Sequence, residues 1–85
     1  MQEKSDHGYD LTAIQCKMAR AAIGLGIRDL AKHAGVSPDT VARFERGEDL
    51  KPATVTTIRR ALESSGVEFI AENGGGEGVR LSKKR

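Results

Sequence analysis

Gly35 separates two runs of helical pattern, neither of them long enough to stand alone. Before it, Leu30, Ala31 and Ala34 fall on one apolar stripe; after it, Val41 and Phe44 form a second. Isolated helices shorter than about 12–15 residues are marginal in water, so both runs must be held by packing. Ser37-Pro38-Asp39 opens the second run with helix-start chemistry. The serine caps, the proline sits where no N–H is needed, and the aspartate favours the positive end of the helix. The spacing predicts helices over residues 27–34 and 38–46, joined by a tight turn, with Gly47 ending the second. A fold built around such a pair has to clamp it with other elements, and the second helix reads as one held outward.

The flanking sequence supplies those elements. Residues 11–23 read as a first helix, with Thr12 as N-cap and Gln15 completing a capping box. Leu11 and Cys16 are placed as a hydrophobic staple, and Cys16, Ala19 and Ile23 share a face with Ala22 nearby, which makes Cys16 a small core residue rather than a reactive thiol. Gly24 and Gly26 end this helix. Their GLG string is no phosphate loop, since no strand precedes it and the third glycine of a dinucleotide fingerprint is missing. After a polar loop and Pro52, a fourth helix over residues 53–65 carries Val55, Ile58 and Leu62 and stops at Gly66. Then the period changes: Val67-Glu68-Phe69-Ile70 and Val79-Arg80-Leu81 are β-prone runs around AENGGGEG. A lone two-stranded hairpin is marginal in water. It must pair with its counterpart in a second subunit, burying Val67, Phe69, Val79 and Leu81, or fold back on its own helices; pairing between subunits is the preferred reading. The expected organisation is a flexible segment over 1–10, a mainly α four-helix domain over 11–66, a β-hairpin for dimerisation over 67–81, and a basic tail over 82–85.

With 85 residues the chain is one small domain, and two Phe, one Tyr and no Trp leave its core to aliphatics and alanines. No run approaches the roughly 20 apolar residues of a membrane span, and residues 1–10 lack an apolar signal core, so the expected location is cytoplasmic. A lone cysteine forms no internal disulfide, and Cys16 with His7 and His33 makes no metal site. No cofactor and no catalytic activity are expected: His33 has no orienting carboxylate at a useful spacing, and Cys16 is read as buried. Net charge is +2, but residues 1–10 carry −2, residues 80–85 carry +4, and the body between them is neutral. Nucleic-acid binding therefore has to rest on where individual Arg and Lys side chains point.

LAKHAGVSPDTVARFERGE is similar to the helix-turn-helix of phage repressor and Cro-like proteins, the Xre-type bacterial regulators. RRALESSGVEFIAENGGGEGVRL resembles a branch of short regulators of that type which end in a nearly identical hairpin. The likeness covers residues 11–81. It implies a compact helical domain that binds double-stranded DNA as a homodimer on an inverted-repeat operator, through the major groove, and regulates transcription, with repression by occupancy the simplest mechanism. By the same resemblance Ala31, Gly35, Val41 and Phe44 set the angle between the paired helices, and Arg20 and Glu45 form a salt bridge between the first helix and the third. Ser37, Asp39, Thr40 and Arg43 match base-reading positions. Arg43 is suited to bidentate contact with guanine O6 and N7, Thr40 to a thymine methyl or a phosphate, and Asp39 to a cytosine amino group. Arg46, Lys51, Arg28 and Pro38 are the candidate phosphate contacts, which set register and affinity without carrying sequence information.

Plainer roles stand beside these. Ser37 is a cap, Asp39 complements the helix dipole, and an Arg43–Asp39 surface pair would contribute about 0.3–0.5 kcal/mol. Arg59 and Arg60 read as solvated. The chain also departs from the family's pattern: Gly26 and Ile27 stand where many relatives have a Ser or Thr followed by Gln, which grips a phosphate, and Arg28 is the nearest replacement. An exposed Ile27 would suit a protein-binding surface. The alternative function is therefore a partner-binding protein on the same fold, an antitoxin for a toxin or an antiactivator for a transcription factor.

Overall fold

The computed structural model describes residues 11–82; the expected flexible segment 1–10 and residues 83–85 of the expected tail lie outside the described residues. Four helices precede an antiparallel hairpin: α1 (Ala13–Ile23), α2 (Ile27–Ala34), α3 (Pro38–Glu45), α4 (Pro52–Ser64), β1 (Val67–Ile70) and β2 (Gly78–Leu81). The fold is mainly α with a C-terminal hairpin, as the periodicities predict. Most boundaries shift by one residue: Arg46 caps α3 rather than extending it, α4 takes in Pro52 and stops at Ser64, and β2 takes in Gly78, while α1 begins two residues later than expected, at Ala13 after its Thr12 cap.

Local chemistry explains the ends. Thr12 Oγ1 accepts from the Gln15 N–H at 3.1 Å while Gln15 Oε1 accepts from the Thr12 N–H at 3.1 Å, closing the capping box of α1. Between α2 and α3, Gly35 has φ 74°, and the N–H groups of Gly35 and Val36 return to the Lys32 and Ala31 carbonyls. A side chain with a Cβ is strained there, so the turn requires glycine.

The core draws on every element. Cys16 from α1, Leu30 from α2, Val41 from α3, Ile58 and Leu62 from α4 and Val67 from β1 are essentially sealed from water. Burying an aliphatic side chain of this size contributes about 1.5–3 kcal/mol, and this shared burial holds helices of eight residues that propensity alone would not. α2 packs on α3 and α4, and α1 packs on α3 and on both strands.

The hairpin lies back on its own helices. Its register pairs Val67 with Leu81, Glu68 with Arg80, Phe69 with Val79 and Ile70 with Gly78, so Val67, Phe69, Val79 and Leu81 share one face. Val67 is sunk in the core and Phe69 and Val79 pack against it, while Leu81 at the margin stays 48% exposed. Of the four residues assigned to a dimer contact, Val67 is thus committed within the chain. Gln15 reinforces the docking: its Nε2 donates to the Ile70 carbonyl at 3.2 Å and to the Gly78 carbonyl at 3.1 Å. Arg59 departs from its solvated reading, since it lies 5.2 Å above the Phe69 ring and pairs with Glu63 at 2.9 Å.

Candidate functional site

α3 has two unlike sides. Val41, Phe44 and Glu45 point inward and are buried. Ser37, Pro38, Asp39 and Arg46 are exposed, with Thr40 and Arg43 half-exposed between them. The inward side fixes the helix on the core, and the outward side carries six polar or helix-start residues that are exposed or half-exposed.

Arg20 and Glu45 lock the orientation of α3. Arg20 Nε and Nη2 each donate to a different oxygen of Glu45 at 2.7 Å, and Nη1 donates to the Leu25 carbonyl at 3.1 Å, so one guanidinium joins α1, the turn after it and α3. The Cys16 thiol donates to Glu45 Oε2 at 3.0 Å. Burial works against ionisation of Glu45, but the hydrogen bonds from Arg20 and Cys16 outweigh it and hold the carboxyl below its ordinary range. Burial, followed by the hydrogen bond to Glu45 and the charge of that carboxylate, pushes the Cys16 thiol well above the usual thiol range. Glu45 therefore serves the fold, and Cys16 is an inert core donor.

The start of α3 is organised for capping. Ser37 Oγ accepts from the Thr40 N–H at 3.1 Å and lies 2.9 Å from Thr40 Oγ1. Ser37 is thus first a cap, and its hydroxyl orients that of Thr40. Ser37, Thr40 and Arg43 line one shallow groove with Lys51 and Thr54 from the start of α4. That groove brings three of the four base-reading candidates beside one phosphate candidate. Arg28 stands exposed on α2, and Pro38 and Arg46 are exposed at the two ends of α3, outside the lining of this groove. Ile27, expected to be exposed, is half-buried against the core.

One residue was missed by sequence reading. Glu48 Oε1 accepts from Arg43 Nε at 3.0 Å and Glu48 Oε2 accepts from Arg46 Nη2 at 3.1 Å, so a single carboxylate joins both guanidiniums. The Asp39 pair to Arg43 that the spacing suggested is looser, at 3.8 Å. The hydrogen bond from Arg43, with that from Arg46, holds the Glu48 carboxyl below its ordinary range, and Arg43 is raised in turn. The cause is the end of α3. Gly47 has φ 98°, its N–H bonds to the Phe44 carbonyl at 2.9 Å, and the Glu48 N–H bonds to the Arg43 carbonyl at 3.1 Å. This paired closure folds the chain back, so residue 48 arrives beside residue 43. Gly47-Glu48 directly after the helix was the available signal.

A family model described as a helix-turn-helix domain matches residues 13–69, which spans α1 through most of β1. No curated protein matches the chain at a significant level. Among the described residues, no helix is long and apolar enough to cross a membrane.

Proposed function

We propose that this chain, which belongs to the helix-turn-helix domain family, is a sequence-specific DNA-binding transcriptional regulator of the Xre type. The observation that carries this reading is the two-sided α3: it is fixed inward through Val41, Phe44 and Glu45 while its outward side stays open. An α-helix of this kind fits the major groove, with N-terminal residues toward base edges. In the proposed complex Arg43 reads guanine and Thr40 and Asp39 touch neighbouring bases. Ser37 supports Thr40 from the cap, and Lys51, Arg46, Arg28 and Pro38 face the phosphate backbone. Two copies act together on an inverted repeat whose half-site centres lie about 34 Å apart. The hairpin supports such a dimer, since Leu81 is half-exposed and its two strands have no further strand beside them among the described residues. Occupancy of a promoter is sufficient for regulation, and action on chromosomal DNA places the protein in the bacterial cytoplasm.

Selection of binding sites from a pool of randomised duplexes tests the reading. Enrichment of a defined, near-palindromic site with salt-sensitive binding is the expected result; a pool that stays random after repeated rounds refutes it. One observation favours a second role alongside the first: Ile14 is 52% exposed on α1, a large apolar side chain left bare. A partner protein, a toxin or another transcription factor, is its proposed occupant. Gel retardation of the chain's own promoter separates the roles, since no retardation together with a co-purifying partner favours the second.

A further inference from the structure

We infer that Glu48 is an affinity-limiting residue that acts as an internal stand-in for a DNA phosphate, competing with the duplex for Arg43 and Arg46. The inference rests on the DNA-binding reading and adds a residue that reading does not use.

The geometry is that of a phosphate contact without the phosphate. One anionic group offers its two oxygens to two guanidiniums at 3.0 and 3.1 Å, from a position just past the end of α3. Arg43 and Arg46 are the two cations that α3 carries outward, and both are satisfied by this carboxylate before any ligand arrives. All three side chains are exposed enough for exchange, since Arg46 is 59% and Glu48 47% accessible. A duplex must therefore replace Glu48 as their partner, and the released carboxylate then stands near a polyanion. That cost falls on every sequence alike. A site offering guanine O6 and N7 returns bidentate hydrogen bonds to Arg43, whereas an arbitrary site returns only a phosphate contact much like the one given up. A cost common to all duplexes lowers every affinity by the same factor, so the clamp limits how tightly the protein holds DNA and leaves the ranking of sites to the guanine contacts.

Removing only the charge tests this. Glu48→Gln and wild-type protein are titrated by fluorescence anisotropy against a mixed-sequence 20-base-pair duplex and against a duplex selected by the wild type, over a range of salt. Glu63→Gln is the charge control. It raises the net charge equally and breaks the Arg59 pair, roughly 16 Å along α4 from Pro52.

Glu48→Gln is expected to tighten binding to the mixed duplex by roughly 3–10-fold, the loss of two exposed pairs. It should also steepen the salt dependence by about 1–2 in log–log slope and tighten the selected duplex by a similar factor, leaving the ratio between the two duplexes unchanged. Equal behaviour of Glu48→Gln and Glu63→Gln on the mixed duplex overturns the inference. So does weaker binding of Glu48→Gln to the selected duplex with no gain on the mixed one, which would mean that Glu48 orders Arg43 for reading. Silence of wild type and Glu48→Gln on every duplex overturns the DNA reading itself, and this inference with it.

Discussion

Arg20 on α1 and Glu45 on α3 meet through two hydrogen bonds of 2.7 Å, one to each carboxylate oxygen, with Glu45 almost wholly buried and Arg20 reaching solvent at its edge. The outward side of α3 is aimed by the inward side of the same helix, and Glu45 is that inward anchor. Losing one partner of a largely buried pair leaves an unpaired polar group, which costs more than the pair's net contribution. Glu45→Ala is expected to lower stability by about 3 kcal/mol, read as a shift of the denaturant midpoint at constant slope. An unchanged midpoint would remove the pair from the list of what holds α3.

The same pair sets an acid limb. Glu45 is held below its ordinary range in the folded chain, so its contribution is complete above the unfolded carboxyl value of about 4.3 and fades as pH falls through the lower folded value. Stability should therefore drop on acidification below about pH 4, and Glu45→Gln should be less stable at neutral pH with a flatter acid limb. Parallel curves for the two proteins would show that other carboxylates govern the acid response.

Gln15 connects the helices to the hairpin through the Ile70 and Gly78 carbonyls. Gln15→Ala should cost about 1–3 kcal/mol by leaving both acceptors without this donor. Hydrogen exchange should quicken in β1 and β2 before it quickens in α2 and α3. Uniform protection loss across the chain would mean that the hairpin does not open separately.

Cys16 donates to Glu45 from a position sealed from water. Its thiol is pushed upward by burial and then by Glu45, and only a thiolate attacks disulfide reagents. Native protein at pH 8 is expected to resist an aromatic disulfide reagent that labels the denatured chain at once. Equal labelling rates in the two states would contradict the buried donor.

Arg43→Ala should weaken binding to a selected duplex by about 1–3 kcal/mol and relax preference at one position, with circular dichroism unchanged. Survival of both affinity and preference would remove Arg43 from the reading set. Leu81→Asp places a charge on the half-exposed margin of the hairpin and should shift the protein toward monomer while sparing the helices. Sedimentation that shows equal association for both proteins moves the proposed dimer contact elsewhere.

Features governed by neighbours a few residues apart were legible in the chain before it folded. The Thr12–Gln15 box, the Ser37-Pro38 start and the glycines that stop α1 and α2 were legible because each depends on groups within about five positions. Periodicity likewise placed Val41 and Phe44 inward, and the family resemblance put Ser37, Thr40 and Arg43 at the exposed start and face of the same helix. Tertiary structure alone decided where the hairpin went. Nothing in residues 67–81 distinguishes a partner's strand from the helices of the same chain as the cover for an apolar face. The decision rests on Gln15 reaching carbonyls 55 and 63 residues away and on Val67 fitting the space among the helices. Glu48 lies between the two cases: its turn was readable, but a turn fixes a backbone direction, and only the packed arrangement of α3 shows which charges that side chain meets.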